Sequence, residues 1–209
     1  MTTVNKDPMI MVRDAVFTQE FCDHCIAKFE NDTQHHQGIT SGGVDVLVKK
    51  SKDLAVSMLT NWQQEDNYFH EIVTWAIEEY TQHLAIKVPL LDRRKNEVIE
   101  VNPVSSNGGG AVTDQGYQMQ KTLPGDGYTW HSDFEVNQNN GIRHLTFIFY
   151  LNTVDEGWTQ FYNGDQVAPE RGRVVIFPAT WNYIHQGYPP KQNKYIVTGW
   201  VFESIQNII

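Results

Sequence analysis

The chain has 209 residues, of which 40% are hydrophobic and 12% aromatic, and its formal net charge is −9. This size and composition fit one globular domain over residues 1–209 and exclude a disordered chain. The acidic balance makes nucleic-acid binding unlikely, no apolar run approaches a membrane span, and residues 1–8 lack the apolar core of a signal peptide. We therefore expect a cytoplasmic protein with no membrane partner, and nucleic acid is a disfavoured partner.

Two helices are predicted in the first half of the chain. Thr18 can cap a helix that runs through Glu30, because its hydroxyl can accept from a free backbone N–H of the first turn. Apolar residues then recur at i, i+3 and i+4 spacing from Trp62 to Leu84, which predicts a long helix with one buried face. Pro89 follows and helps to stop this helix.

The two cysteines form a CxxC pair within the first predicted helix. A CxxC can be a redox pair or half of a zinc site, but the sequence contains no second pair to complete a zinc site. Cys22 and Cys25 share an apolar stripe with Phe21 and Phe29, which favours packing in the core over chemistry.

The segment between the two helices is less regular. The alternation of Val44, Val46 and Val48 suggests a strand, and Ser51–Met58 fits one or two helical turns. The segment also contains a short run of lysines, Lys49, Lys50 and Lys52. Such a charge run is typical of a solvated face.

The second half predicts β structure, because short apolar runs alternate with Gly, Pro, Asn and Asp turn signals. Helices followed by many short strands indicate an α+β, mainly β fold: a double-stranded β-helix (jelly-roll) core at about 97–203, buttressed by helical support at about 14–90. The predicted strands are Val98–Val104, Tyr117–Thr122, Tyr128–His131, His144–Leu151, Gln160–Tyr162, Arg173–Phe177, Tyr183–His185 and Tyr195–Phe202. The glycine-rich stretch Ser105–Gly110 fits a flexible loop, since it lacks the lysine and hydroxyl of a phosphate-binding loop.

Three residues of this half suggest a metal site. His131 ends a predicted strand, Asp133 opens the next loop, and His185 lies on a later strand. Two imidazoles and one carboxylate with open coordination positions are typical of non-haem iron(II) sites that use oxygen. An isolated His-x-Asp is a weak signal, so the surroundings decide: the end of a strand and the start of its loop allow His131 and Asp133 to enter one barrel mouth.

The last predicted strand adds a cation to the same region. Lys194, Thr198 and Trp200 share one face by the two-residue period of a strand. A lysine on an inward face is costly unless an anion pairs with it, so Lys194 indicates a site for a small anionic co-substrate.

A series of blocks in the second half resembles the prolyl 4-hydroxylase-like branch of the iron(II)/2-oxoglutarate-dependent dioxygenases. The run Gln118–Asp133 resembles the segment before the HxD turn, and Phe147–Asn152 resembles the strand that ends in Tyr-Leu-Asn. Glu156–Phe161 and Pro169–Phe177 resemble the two blocks that follow, and the distal histidine and basic residue come last. The order of blocks, over about residues 97–203, is more specific than any single motif.

The resemblance implies a role for each matched residue. His131, Asp133 and His185 would bind Fe(II), while O2 and 2-oxoglutarate would serve as co-substrates and ascorbate as a reductant. Lys194, Tyr150 and Thr198 would bind 2-oxoglutarate. The residues expected in the substrate pocket are Trp200, Tyr128 and Arg143.

Two departures from the family pattern concern the substrate subclass. Trp158 replaces the usual second glycine and acidic residue before Thr159, and Lys194 stands where an arginine is common. Asp133 retains the third iron ligand, which argues against a halogenase. The segments Ser105–Gly116 and Phe134–Ile142 are expected to act as lids over the site.

The resemblance favours hydroxylation of an unactivated C–H bond of a prolyl residue in a peptide or protein. A hydroxylase of a free amino acid or another small metabolite is the alternative within the enzyme class. A non-catalytic jelly-roll binding module is the alternative from another class, and it leaves the co-occurrence of the three ligands with Lys194 unexplained.

Overall fold

The structure is a computed structural model that describes residues 3–40, 42–84, 88–92, 97–101, 112–137 and 141–203. Its helices are α1 (Gln19–Asn31) and α2 (Gln63–His83). Its strands are β1 (Met11–Arg13), β2 (His36–Gln37), β3 (Lys52–Ala55), β4 (Val88–Asp92), β5 (Glu97–Val101), β6 (Val112–Asp114), β7 (Gln118–Thr122), β8 (Tyr128–His131), β9 (Val136–Asn137), β10 (Gly141–Tyr150), β11 (Thr159–Phe161), β12 (Gln166–Val167), β13 (Val174–Pro178), β14 (His185–Gly187) and β15 (Lys194–Glu203).

Both predicted helices are confirmed. The Thr18 hydroxyl accepts from the backbone N–H of Phe21 and so satisfies one of the free donors at the start of α1. The buried face of α1 includes Cys22 and Cys25, both 0% exposed, as the packing interpretation predicted. Burial raises the pKa of the Cys22 thiol to about 11, so this cysteine stays protonated and unreactive at neutral pH.

Two sheets form the jelly roll that the sequence predicted. The major sheet has the order β1-β13-β10-β15-β7-β3-β2, with β6 paired to β15 and β9 paired to β10. The minor sheet has the order β12-β11-β14-β8, and β4 and β5 form a separate hairpin. All of the described strand pairs are antiparallel, which is typical of jelly-roll folds.

The central strand β10 shows how the major sheet divides the protein into two layers. Phe147 and Phe149 pack with the helices in one core cluster, whereas Ile148 and Tyr150 pack with Phe161 of the minor sheet in another. This division follows from the two-residue period of the strand. The helices therefore cover the outer face of the major sheet and leave its inner face for the site.

The segment between the helices differs from the prediction. Residues 44–48 contain a turn at 46–48 and no strand, and Val44 and Val46 are 59% and 51% exposed. Ser51–Met58 contains strand β3 followed by a short 3-10 turn, Val56–Met58. Lys49 is only 3% exposed, so its assignment to a solvated charge run was wrong.

The predicted strands of the second half occur with shifts of up to three residues at their ends. The shortest strands, such as β9 and β12 with two residues each, were not predicted, because two residues are too few for alternation to be visible. Pro89 lies in β4 rather than beside the end of α2. The last residues of the predicted strand Val98–Val104 and the whole of Ser105–Gly110 lie outside the described residues.

Neither of the described helices is both long enough and apolar enough to cross a membrane.

Candidate active site

The minor sheet brings the three predicted metal ligands together. β8 ends at His131, β14 begins at His185, and the two residues face each other in the antiparallel register of these strands. Asp133 follows β8 by two residues, and its carboxylate oxygens lie 3.7 Å from Nε2 of His131 and 3.5 Å from Nε2 of His185. One ligand atom from each residue lies within 4.8 Å of the others. The arrangement is a compact two-histidine, one-carboxylate site.

The chemistry of these donors fits a divalent metal. Nδ1–H of His131 can donate to the carbonyl of Thr129 at 2.7 Å, and Nδ1–H of His185 to the carbonyl of Tyr183 at 3.0 Å. Those bonds leave both Nε2 atoms free as ligands. Burial and the neighbouring imidazole lower the pKa of His131 to about 4, so this ring is neutral at pH 7, as a metal ligand must be.

Asp133 is held in its ionised form by its surroundings. It is buried at 8% exposure, and the Thr146 hydroxyl on β10 donates to its Oδ2 at 2.8 Å. Burial raises the pKa of the carboxyl, but the two imidazoles and the Thr146 hydrogen bond outweigh that effect and hold the pKa below its usual range. Thr146 is a positioning residue that the sequence analysis did not single out, because its role depends on the pairing of distant strands.

Lys194 lies at the buried end of the same cavity. It begins β15, is 4% exposed, and its Nζ donates to the carbonyl of Gly157 at 2.7 Å. Within the described part of the chain it has no carboxylate partner. Burial alone lowers its pKa to about 8. A cation buried without a counter-charge is suited to pair with an anion, and the role of Lys194 in binding a co-substrate stays a prediction.

The lowered pKa of Lys194 predicts how co-substrate binding depends on pH. Below about pH 8 the ammonium is charged and can pair with a dianion, and above that pH it loses its proton. The KM for 2-oxoglutarate should therefore rise by up to about tenfold per unit above pH 8, measured as succinate formation between about pH 7 and pH 9. Lys194→Arg provides the control, because a guanidinium stays protonated and should flatten the rise. A KM that is constant over this range in the wild type would contradict the assignment.

The other two residues predicted to bind 2-oxoglutarate are placed differently. Thr198 lines the cavity, but its hydroxyl donates to the carbonyl of Phe147 at 2.8 Å, so this proton is already used. Tyr150 is fully buried and does not line the described cavity wall; its hydroxyl lies 2.6 Å from that of Thr159, which does. If Tyr150 donates, the Thr159 proton is free for a carboxylate, so Tyr150 is placed to act through Thr159.

Trp158, the first departure from the family pattern, lies outside the described cavity lining. Its ring stacks on Tyr188 with centroids 4.5 Å apart. The following residue, Thr159, still reaches the cavity from β11. This departure from the family pattern therefore lies in the surroundings of the site rather than in its lining.

The three residues predicted for the substrate pocket all line the cavity beside the ligands. The Tyr128 ring stacks on the His131 ring with centroids 3.5 Å apart. The Arg143 guanidinium lies 3.8 Å from the centre of the Trp200 ring and pairs with Glu135 at 2.8 Å. Tyr128 and Trp200 therefore give the cavity an aromatic wall next to the metal site.

The Trp200 indole also faces the metal site. Its N–H is buried and makes no hydrogen bond of standard geometry within the described part of the chain, yet it contributes to the lowered pKa of Asp133. The Trp200 N–H therefore lies close to the Asp133 carboxylate without forming a hydrogen bond to it. Trp200 therefore limits the space beside Asp133.

The cavity has a volume of about 430 Å³, in the usual range for small-molecule sites. Phe134, which follows Asp133, lines its mouth and is 45% exposed. The two predicted lids, Ser105–Gly116 and Phe134–Ile142, fall partly outside the described residues, at 105–111 and 138–140. Their closure stays a prediction.

Comparison with known proteins supports the assignment of this site. The family model of the 2OG-Fe(II) oxygenase superfamily matches residues 117–202, which include all three ligands and Lys194. No curated protein sequence matches the chain significantly.

Several solved structures share the fold. A viral collagen prolyl hydroxylase from Paramecium Bursaria Chlorella virus-1 has a TM-score of 0.63 and 13% identity over 95% of this chain and 97% of that one. A prolyl hydroxylase from Trichoplax adhaerens, solved with a hypoxia inducible factor peptide, has a TM-score of 0.67 and 14% identity over 94% and 84% of the chains. A Pseudomonas putida prolyl-4-hydroxylase has a TM-score of 0.56 and 14% identity over 94% and 93%.

The fold shared with the solved structures thus confirms the jelly-roll prediction. The match to the family model over residues 117–202 confirms the family resemblance. The geometry of His131, Asp133 and His185 agrees with both. Residues 117–202 thus match the 2OG-Fe(II) oxygenase superfamily in sequence and the chain has the fold of prolyl hydroxylases, which together with the ligand geometry supports a 2-oxoglutarate-dependent dioxygenase.

Proposed function

We propose that this protein hydroxylates a prolyl residue within a peptide or protein. The observation that carries the proposal is the aromatic wall beside the metal site, made by Tyr128 and Trp200. A pyrrolidine ring is compact and apolar, so it can pack against such a wall while presenting a C–H bond to the metal.

The charges of the cavity support an uncharged target. Lys49 pairs with Asp53 at 2.7 Å and Arg143 pairs with Glu135 at 2.8 Å. Among the cations of the described cavity wall, Lys194 alone lacks a carboxylate partner, and we assign it to 2-oxoglutarate. A highly charged substrate would find no unpaired counter-charge in the rest of that wall.

The structural neighbours support the same substrate class. The viral enzyme is a collagen prolyl hydroxylase, and the Trichoplax enzyme was solved with a peptide of hypoxia inducible factor. Both are named as prolyl hydroxylases. At 13% and 14% identity they share the fold with this chain, and the cavity lining supplies the argument for proline.

Each part of the reaction has residues suited to it. His131, Asp133 and His185 would hold iron(II), which with 2-oxoglutarate and O2 supplies the oxidant for C–H hydroxylation. One oxygen atom enters the substrate as hydroxyl, and the other enters succinate as 2-oxoglutarate loses carbon dioxide. Lys194 would pair with the distal carboxylate of 2-oxoglutarate. The aromatic wall would orient the substrate and exclude water.

The proposal is tested with a panel of short proline-containing peptides, capped at both ends. We expect them to couple 2-oxoglutarate decarboxylation to a gain of one oxygen atom on proline, read by mass spectrometry. Replacing that proline by alanine should remove the gain, because the target carbon is lost while the flanking contacts remain.

Free L-proline and other free amino acids form the second arm of this experiment. Efficient oxidation of a free amino acid, with no hydroxyproline in any peptide, would refute the prolyl proposal and leave the dioxygenase assignment intact. A reductant role for ascorbate and a cytoplasmic location are further proposals, checked by omitting ascorbate from the assay and by fractionating cells.

A further inference from the structure

We infer that Lys49 is a substrate-binding residue whose ammonium donates to a main-chain carbonyl beside the hydroxylated proline. This inference rests on the proposed function and names a recognition contact within it. The residue lies outside the matched segment 117–202, on the loop between β2 and β3.

The backbone around Lys49 is fixed against the strand that carries His131. Lys49 forms a bridge with Tyr128, the first residue of β8. On one side the N–H of Thr129 donates to the carbonyl of Val48 at 2.9 Å. On the other side the N–H of Lys50 donates to the carbonyl of Gly127 at 2.9 Å. The loop therefore extends the edge of the minor sheet and positions Lys49 at the cavity.

The side chain of Lys49 is buried but has hydrogen-bonding capacity to spare. Its methylene carbons pack beneath Gly38, where a Cβ would approach its Cε to 3.0 Å. Its Nζ lies 2.7 Å from Oδ2 of Asp53, the only acceptor recorded for it among the described residues. An ammonium has three donors, so two are available to a molecule in the cavity that Lys49 lines.

Asp53 neutralises the charge of Lys49, and both of its carboxylate oxygens already accept hydrogen bonds. It is 0% exposed, and its Oδ1 accepts from the Ser51 hydroxyl at 2.7 Å. Removing two charges from water is expensive, and replacing a buried pair by apolar residues is often neutral or stabilising. A buried pair whose lysine lines a binding cavity is therefore better explained by recognition than by stability.

The distance from the metal site suits a flanking group rather than the reacting carbon. Nζ lies 5.6 Å from the centre of the Tyr128 ring, which in turn stacks on His131 at 3.5 Å. The ammonium is thus one aromatic ring beyond a metal ligand. Gln118 and Gln120 of β7 line the same cavity, and Gln120 lies opposite Asp53 in the register.

The neutrality of the pair selects the kind of acceptor. Lys49 and Asp53 together carry no net charge, so they offer donors without attracting an anion strongly. An amide carbonyl is an uncharged acceptor that needs such donors when it leaves water. Peptide-linked proline has amide carbonyls on both sides, whereas free proline has a carboxylate.

The test compares Lys49→Met with wild type, using a capped proline peptide that the wild type hydroxylates. The KM for the peptide should rise about tenfold to hundredfold, because a hydrogen bond to a charged donor is lost. The KM for 2-oxoglutarate should stay unchanged, and more 2-oxoglutarate should be consumed per hydroxyproline formed. Lys50→Met is the matched control, since Lys50 is exposed and pairs with Asp126, and it should behave as wild type.

A second variant separates recognition from folding. Lys49→Met leaves Asp53 buried without its cation, so the double variant Lys49→Met with Asp53→Asn removes both charges. The inference is supported if the double variant recovers the wild-type unfolding temperature while its KM for the peptide stays raised. If the double variant also recovers the wild-type KM for the peptide, Lys49 only neutralises Asp53, and the inference is overturned. A raised KM for 2-oxoglutarate in Lys49→Met would assign Lys49 to the co-substrate and would also overturn it. A wild type that leaves peptide prolines unmodified contradicts the proposed function, and this is read before any variant is made.

Discussion

Asp133→Ala should reduce 2-oxoglutarate turnover to background. The carboxylate is the only negatively charged donor of the three-residue site, and it lies between the Nε2 atoms of His131 and His185. Loss of an outer partner of a metal ligand already costs about 10- to 100-fold in affinity or activity, so loss of the ligand itself should cost more than about 100-fold. Iron content after anaerobic reconstitution and succinate release measure the two effects, and the wild type should bind one iron(II) per chain.

The fold should survive this substitution. Alanine removes a buried charge, and the Thr146 hydroxyl that donated to Asp133 loses its acceptor, which costs about 1–3 kcal/mol. Asp126→Ala is a suitable control, since Asp126 precedes the same strand and pairs only with the exposed Lys50 among the described residues. Normal turnover in folded Asp133→Ala would show that the metal site is not the one described.

The metal ligands could be located from sequence because each belongs to a local pattern. His131 ends a strand whose limits were predicted correctly as Tyr128–His131, and Asp133 follows it directly. The pairing of β8 with β14 could not be derived from the sequence, since register between distant strands depends on the whole sheet. The family resemblance grouped His131, Asp133 and His185 as ligands, and the structure brings the three side chains together.

The residues around the co-substrate were only partly predictable. The two-residue period placed Lys194 and Thr198 on one face of β15, and both line the cavity. It could not show that the Thr198 proton is used by the Phe147 carbonyl of the neighbouring strand. It also could not show that Tyr150 reaches the cavity through Thr159, because that contact joins two different sheets.

Lys49 shows where a local pattern misleads. A run that contains three lysines within four residues is typical of solvent exposure, and Lys50 is indeed exposed. Lys49 is buried because its loop is hydrogen-bonded along β8, which directs alternate side chains inward. The partner that makes this possible, Asp53, lies four residues further on, in a strand that the sequence analysis interpreted as helical turns.

Lys194→Ala should raise the KM for 2-oxoglutarate by about 10- to 100-fold. A charge-assisted hydrogen bond contributes about 1.5–3 kcal/mol, and each 1.4 kcal/mol corresponds to a factor of ten. The substitution removes the cation at the buried end of the cavity, where the pairing with a carboxylate is poorly screened by water. Iron affinity should change far less, because no metal ligand is touched.

Two further lysine variants determine whether Lys194 itself is responsible. Lys194→Arg should rescue only in part, because a planar guanidinium cannot occupy the position of a compact ammonium that donates to Gly157. Lys191→Ala is the matched control, since Lys191 is 59% exposed and pairs with Glu156. An unchanged KM in Lys194→Ala, together with a raised KM in Lys191→Ala, would move the co-substrate cation to Lys191. The expected result is the reverse, because Lys194 is the buried cation that lacks a counter-charge in the described part of the chain.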